Sequence, residues 1–116
     1  MISVPTEKVR LTTMIEYIQE QLSQEELLRQ LADEAAELAQ AALKLRRVYN
    51  GSNPTPTTHK DALNNLHEEI ADVKLLLKVL ELDGPNDKAR HTHIMQSKVR
   101  RWGNRLRVTK EAPCSK

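Results

Sequence analysis

The stretch SQEELLRQLADEAAELAQAALKLRRVYNG, residues 23–51, decides the fold. Ser23 followed three residues later by Glu26 has the form of a capping box, in which each side chain satisfies a backbone N–H of the first helical turn. Asn50-Gly51 supplies a stop. Between these signals, at about 100° per residue, Leu27, Leu28, Leu31, Ala35, Leu38, Ala42 and Leu45 fall on one side and predict a helix to about Tyr49. Glu34 projects only about 20° from Leu27 and Leu45, so it lies within the apolar stripe. Glu37 stands one turn further on, at the stripe's edge. Residues three apart on a helix are surface neighbours, roughly 5–6 Å apart at Cβ, so the two carboxylates can serve one ion.

A second stretch repeats the arrangement. Thr58 and Asp61 resemble another helix start, and Leu63, Leu66, Ile70, Val73, Leu77 and Leu80 form a stripe that predicts a helix to about Leu82. Glu69 falls between Val73 and Leu76 in projection, and Asp72 follows three residues on. Each helix therefore places one carboxylate in its packing face and a second beside it.

An ionised carboxylate in an apolar face must be paired, protonated or metal-bound. Several together repel, and their pKa values rise unless a cation neutralises them. Oxygen ligands suit hard divalent cations, and Mg²⁺ in particular is held by a few carboxylates with water and substrate phosphates. A single Glu-x-x-Glu is common on any solvated helix. Two pairs, one per helix and both on the packing side, point to a divalent-metal site built from Glu34, Glu37, Glu69 and Asp72.

The rest of the chain fits an all-α protein of about four helices in one domain over residues 1–108. Aromatics are 3% of the 116 residues and phenylalanine is absent, so the core must come from Leu, Ile, Val and Ala, which suits helices better than a sheet. So small a bundle has a modest core of its own, and completing it by homo-oligomerisation, as a dimer or tetramer, is expected. A first helix is predicted from about Thr6 to Leu22, and a loop over the Pro- and Thr-containing residues 51–58. Asp83-Gly84-Pro85 reads as a stop with Gly84 in the left-handed cap position. A fourth helix follows from about Asp87 to Leu106, and a disordered tail over 109–116. The lone Cys114 makes no internal disulfide, and no apolar run has the length of a membrane span, so a cytoplasmic protein without a membrane partner is expected.

Charge is divided unevenly. Residues 1–83 hold nine Lys/Arg against fourteen Asp/Glu, whereas residues 84–116 hold nine against two. On the fourth helix Lys98, Arg101 and Arg105 share a face beside the apolar strip of Met95, Val99, Trp102 and Leu106. Lys98 and Arg101 are candidates to clamp phosphates, where Arg offers a fork and Lys a point charge. A solvated helix end accounts for the same charges. Lys44 lies two turns beyond Glu37 and can reach toward the same ligand, or simply complement the helix dipole. Asn65, one turn before Glu69, is a candidate for sugar or base contacts. Trp102 projects into the core rather than outward for stacking. His91 and His93 do not face each other, and His59 and His67 have no partner that spacing identifies.

Asp33-Glu34-Ala-Ala-Glu37-Leu38-Ala39-Gln40-Ala41 together with His67-Glu68-Glu69-Ile70-Ala71-Asp72-Val73 resembles the paired Glu-x-x-Glu and Glu-x-x-Asp signature of the MazG-like all-α nucleoside triphosphate pyrophosphohydrolases. The resemblance covers about residues 24–82, with a weaker extension through Lys98 to Leu106. It implies a homo-oligomeric bundle and Mg²⁺ dependence, with Mn²⁺ as a substitute. It also implies cleavage of a nucleoside triphosphate between the α- and β-phosphates, with Glu34, Glu37, Glu69 and Asp72 as metal ligands. Glu37 or Glu68 is the candidate base for the attacking water, although Glu68 points away from the stripe. The long segment between the motifs departs from the family pattern, so substrate identity does not carry over. A specialised substrate, such as a deoxynucleotide or phosphoribosyl-ATP, is the nearest alternative. A non-enzymatic interaction or nucleic-acid-binding module is the other, and the lack of metal-finger spacing or an aromatic RNA-binding motif counts against nucleic acid as a partner.

Overall fold

In the computed structural model, residues 7–51 and 57–111 are described, and they form four helices and no strand. These are α1 (Glu7–Gln21), α2 (Gln24–Asn50), α3 (His59–Val79) and α4 (Pro85–Glu111). The all-α expectation and the number of helices are borne out. Most of the expected 51–58 loop and residues 112–116 of the expected tail lie outside the described residues. The chain divides into two compact units, Met1–Leu82 and Asp83–Lys116.

In the first unit α2 and α3 form an antiparallel pair, with α1 laid against α3. The start of α2 stands where the sequence predicts, with the Ser23 half of the capping box formed. Ser23 is extended (φ −73°, ψ 160°), and its Oγ accepts the Glu26 N–H at 3.1 Å. Thr58 Oγ1 does the same for the Asp61 N–H at 3.0 Å. Gly51, at φ 71°, ends α2 in the left-handed region and donates its N–H to the Arg47 carbonyl.

The inward face of α2 is rotated from the expected one. Leu28 is 50% exposed, and Ala35 and Ala42 also face outward, whereas Ala41 is buried. The line that turns inward is Leu27, Leu31, Glu34, Leu38, Ala41, Leu45 and Val48, alternating four- and three-residue steps. A stepping of this kind keeps one stripe against a partner helix along a long contact. On α3 the corresponding line is Ala62, Leu66, Glu69, Val73, Leu76 and Leu80. Glu34 and Glu69 thus occupy seam positions where a coiled coil would carry aliphatic side chains. The tightest packing lies at one end, where Leu27, Val79 and Leu80 are buried against Ile15, Ile18, Leu22, Leu31 and Leu76. Gln19 Nε2 joins α1 to that end by donating to the Val79 carbonyl at 2.8 Å.

The end of α3 differs from expectation. Glu81, not Gly84, takes the left-handed position at φ 58°. The Glu81 N–H donates to the Lys78 carbonyl and the Leu82 N–H to the Leu77 carbonyl, the two bonds of a Schellman motif. Gly84 instead caps the start of α4: its N–H donates to Asp87 Oδ2 at 3.1 Å, with Pro85 in the first helical position. A left-handed conformation costs an L-residue about 1–2 kcal/mol, and glycine gives back part of this through its freer unfolded chain. Glu81→Gly is therefore expected to stabilise the first unit by about 0.5–1 kcal/mol, read as a higher denaturation midpoint at unchanged slope.

In the second unit α4 extends beyond Leu106 to Glu111. Trp102 is 61% exposed, so its expected core role does not hold within this unit. Met95, Val99 and Leu106 share the exposed strip. A unit with one described helix offers that strip no second helix to pack on. Among the described residues no helix is long and apolar enough to cross a membrane.

Candidate metal centre

The antiparallel pairing brings the middle of α2 to the middle of α3, and the two seam carboxylates meet there. One oxygen each from Glu34, Glu37 and Glu69 lies within 4.8 Å of the others. Glu34 and Glu69 are half-buried and Glu37 is exposed at the rim. Asp72 is half-buried on α3, outside this set of three, but its charge acts on both Glu34 and Glu69.

Electrostatics mark the same place. Desolvation is the first cause that raises the Glu34 carboxyl above its ordinary value of 4.5, followed by the charges of Glu37 and Asp72. Glu69 is raised by desolvation, then by Glu37, Asp72 and Glu34. A side-chain hydrogen bond with Glu37 adds to both shifts. Glu34 Oε2 and Glu69 Oε2 are buried and have no hydrogen-bond partner. Orphaned carboxylate oxygens of this kind are expensive in any packed interior. No lysine or arginine is seen paired with the cluster among the described residues; Arg29 pairs with Asp33 at 3.3 Å on the outer face of α2.

A raised carboxyl pKa makes the native state hold a proton that the unfolded chain has released. The contribution to stability is full below the ordinary value of 4.5 and is lost as pH rises through the raised folded value. Above that window the charges repel without compensation. A divalent cation removes this penalty, and oxygen-only donors at this spacing suit Mg²⁺ or Mn²⁺. The residues fit such an ion: three carboxylates converge, and two of their oxygens lack any other partner.

Beside the carboxylates runs a cleft of about 380 Å³. Glu37 and Glu69 form one end, Lys44 and Arg47 the other, and Gln40 and Asn65 lie between. Of the residues expected to bind substrate, Lys44 and Asn65 are thus brought to the site. Gln40 and Arg47 were not picked out, although Glu37, Gln40, Lys44 and Arg47 follow one another at steps of three and four residues. Glu68 is exposed next to Glu69 and does not join the cluster. Lys98 and Arg101 lie in the second unit, on a shallow surface cleft of α4 shared with Trp102, Asn104 and Arg105. His59 does find a partner: Tyr49 Oη lies 2.8 Å from its Nε2 with the rings edge to face, which ties the end of α2 to the start of α3.

Comparison with protein-family models, characterised proteins and solved structures finds no match to this chain.

Proposed function

We propose that this chain is a Mg²⁺-dependent nucleoside triphosphate pyrophosphohydrolase that cleaves the α–β anhydride bond. One observation carries the reading: Glu34, Glu37 and Glu69 converge within 4.8 Å at the seam between two helices, with oxygens of Glu34 and Glu69 left unpartnered. Carboxylates at seam positions weaken the fold, which is the trade expected of a functional site. The resemblance of the segments around Glu34–Ala41 and His67–Val73 to the MazG-like signature supplies the reaction.

Glu34 and Glu69 would hold the ion from the seam and Glu37 from the rim, with Asp72 adding its charge beside them. When bound, a divalent ion neutralises charge developing on the phosphates and lowers the pKa of coordinated water. Glu37, exposed to solvent beside the two half-buried carboxyls, would take the proton of the attacking water. Glu68 remains a second candidate, one residue from Glu69 on the outer side. The water oxygen bonds to phosphorus, the α–β P–O bond breaks, and pyrophosphate leaves the nucleoside monophosphate. Lys44 and Asn65 lie where they can contact the substrate's phosphates and sugar. By the family resemblance, Lys98 and Arg101 of the second unit are further candidates for phosphate contact. Lys98→Ala is expected to weaken nucleotide binding about tenfold, the loss of one charge-assisted hydrogen bond. Mg²⁺ binding measured alone is expected to stay as in the wild type.

Exposed apolar side chains support assembly with further copies of the chain. Leu11, Met14 and Tyr17 on α1, Leu28 and Leu43 on α2, and the strip on α4 are open within one chain. A cytoplasmic homo-oligomer buries such surfaces. The test is incubation with a panel of ribo- and deoxyribonucleoside triphosphates, with Mg²⁺ or with chelator, and separation of the products. Monophosphate and pyrophosphate in equal amounts, formed with Mg²⁺ alone, are expected. Diphosphate and orthophosphate would place the cleaved bond elsewhere, and no product from any member would leave the specialised-substrate or non-enzymatic readings.

A further inference from the structure

The cleft beside the carboxylates has a direction. Along α2, Glu37 is followed by Gln40, Lys44 and Arg47, so one wall passes from carboxylate to amide to cation. Asn65 extends the amide zone from α3, one turn from Glu69. At about 1.5 Å per residue, Lys44 and Arg47 begin about 10 and 15 Å from Glu37 along the axis. Helical side chains lean toward the N-terminus, so both cations reach back along the cleft toward the carboxylates. Arg47 is half-buried, and its carbonyl holds the Gly51 N–H that closes the last turn. Neither cation has an ion-pair partner among the described residues.

Arg29 is paired with Asp33, and Lys74 projects about 140° from Glu69 on α3. The positive end of the α3 dipole lies beside the negative end of α2, so the cationic end of the cleft carries little opposing backbone field.

We infer that this cleft is a polyphosphate channel that fixes the direction of the substrate and reads its length. The phosphates run from the carboxylate end toward the end of α2. Gln40 donates to the intervening oxygens, Lys44 contributes a point charge, and the Arg47 fork takes the terminal phosphate. A chain of three phosphates spans the zone and one of two stops short of Arg47, so Arg47 selects triphosphates over diphosphates. The inference rests on the pyrophosphohydrolase reading for its substrate, but its binding test needs no turnover.

The probes are inorganic tripolyphosphate and pyrophosphate, titrated calorimetrically into the whole chain with Mg²⁺ present. The wild type is expected to bind tripolyphosphate about tenfold more tightly than pyrophosphate, as one added charge-assisted contact gives. Arg47→Ala is expected to erase that preference by weakening tripolyphosphate alone, and Arg47→Lys to restore part of it. Arg46, exposed and about 180° from Glu37 around α2, is the charge control, and Arg46→Ala is expected to change neither affinity. Equal weakening by Arg46→Ala and Arg47→Ala, or a wild type that does not distinguish the two probes, overturns the channel. Should Arg47→Ala lose its helical signal, Arg47→Gln, which keeps the stem, decides between the same outcomes. A preference for tripolyphosphate in a chain that turns over no nucleotide would leave the channel standing and remove the hydrolase reading.

Discussion

Glu69→Gln is expected to reduce Mg²⁺-dependent turnover by more than a hundredfold while the helical signal stays at the wild-type level. Glutamine keeps the volume and one oxygen but cannot supply anionic charge to a cation. Outer-shell partners of metal ligands already cost about 10–100-fold when removed, and a direct ligand should exceed that. The substitution also takes one charge out of a set in which Glu37, Asp72 and Glu34 all push the Glu69 carboxyl upward. In chelator at neutral pH, then, the variant should melt at or above the wild-type temperature. Loss of activity with equal or higher thermal stability is the signature of a site residue. Activity retained at the wild-type level would remove Glu69 from the site.

The second large effect is on stability. In chelator, the two raised carboxyls make the chain lose stability as pH climbs from 4.5 through their folded values. Mg²⁺ competes for the same oxygens, so its stabilisation should be least near pH 4.5 and grow as pH rises through the raised folded values. At an ion concentration about a hundredfold above Kd, the expected rise in Tm is roughly 10 °C for a chain of this size. Glu34→Gln/Glu69→Gln should abolish both the Mg²⁺ response and this part of the pH dependence. Melting curves with and without chelator at pH 5, 6, 7 and 8 measure it. A Mg²⁺ response equal at all four values would show that the ion does not compete with these protons.

Local chemistry made much of the fold legible. Ser23, Gly51 and Thr58 each satisfy or terminate a helix through bonds within four residues, and each stands where the sequence puts it. The inward positions of Glu34 and Glu69 were also readable, because seven- and eleven-residue offsets from neighbouring apolar side chains return nearly to the same direction. What the sequence hid depends on partners. Ala41 is buried in place of Ala42 because α3 selects one of two adjacent apolar lines. Glu81 takes the left-handed cap because Leu77 and Leu82 fix the Schellman bonds, which left Gly84 to begin α4. The Arg47 end of the cleft became visible only when antiparallel pairing set Asn65 opposite Gln40 and Lys44. Trp102 shows the opposite failure: a regular apolar strip predicts burial but does not name the surface that provides it.

The central claim is that the seam carboxylates hold a divalent cation, and Mn²⁺ tests it with no substrate present. Free Mn²⁺ gives an electron paramagnetic resonance signal that is lost on binding. Titration of the wild-type chain should show saturable loss of that signal, reversed by excess Mg²⁺. Glu34→Gln/Glu69→Gln should leave the Mn²⁺ free at the same concentrations. Identical isotherms for the wild type and the double variant, or no saturable binding to either, would contradict the account.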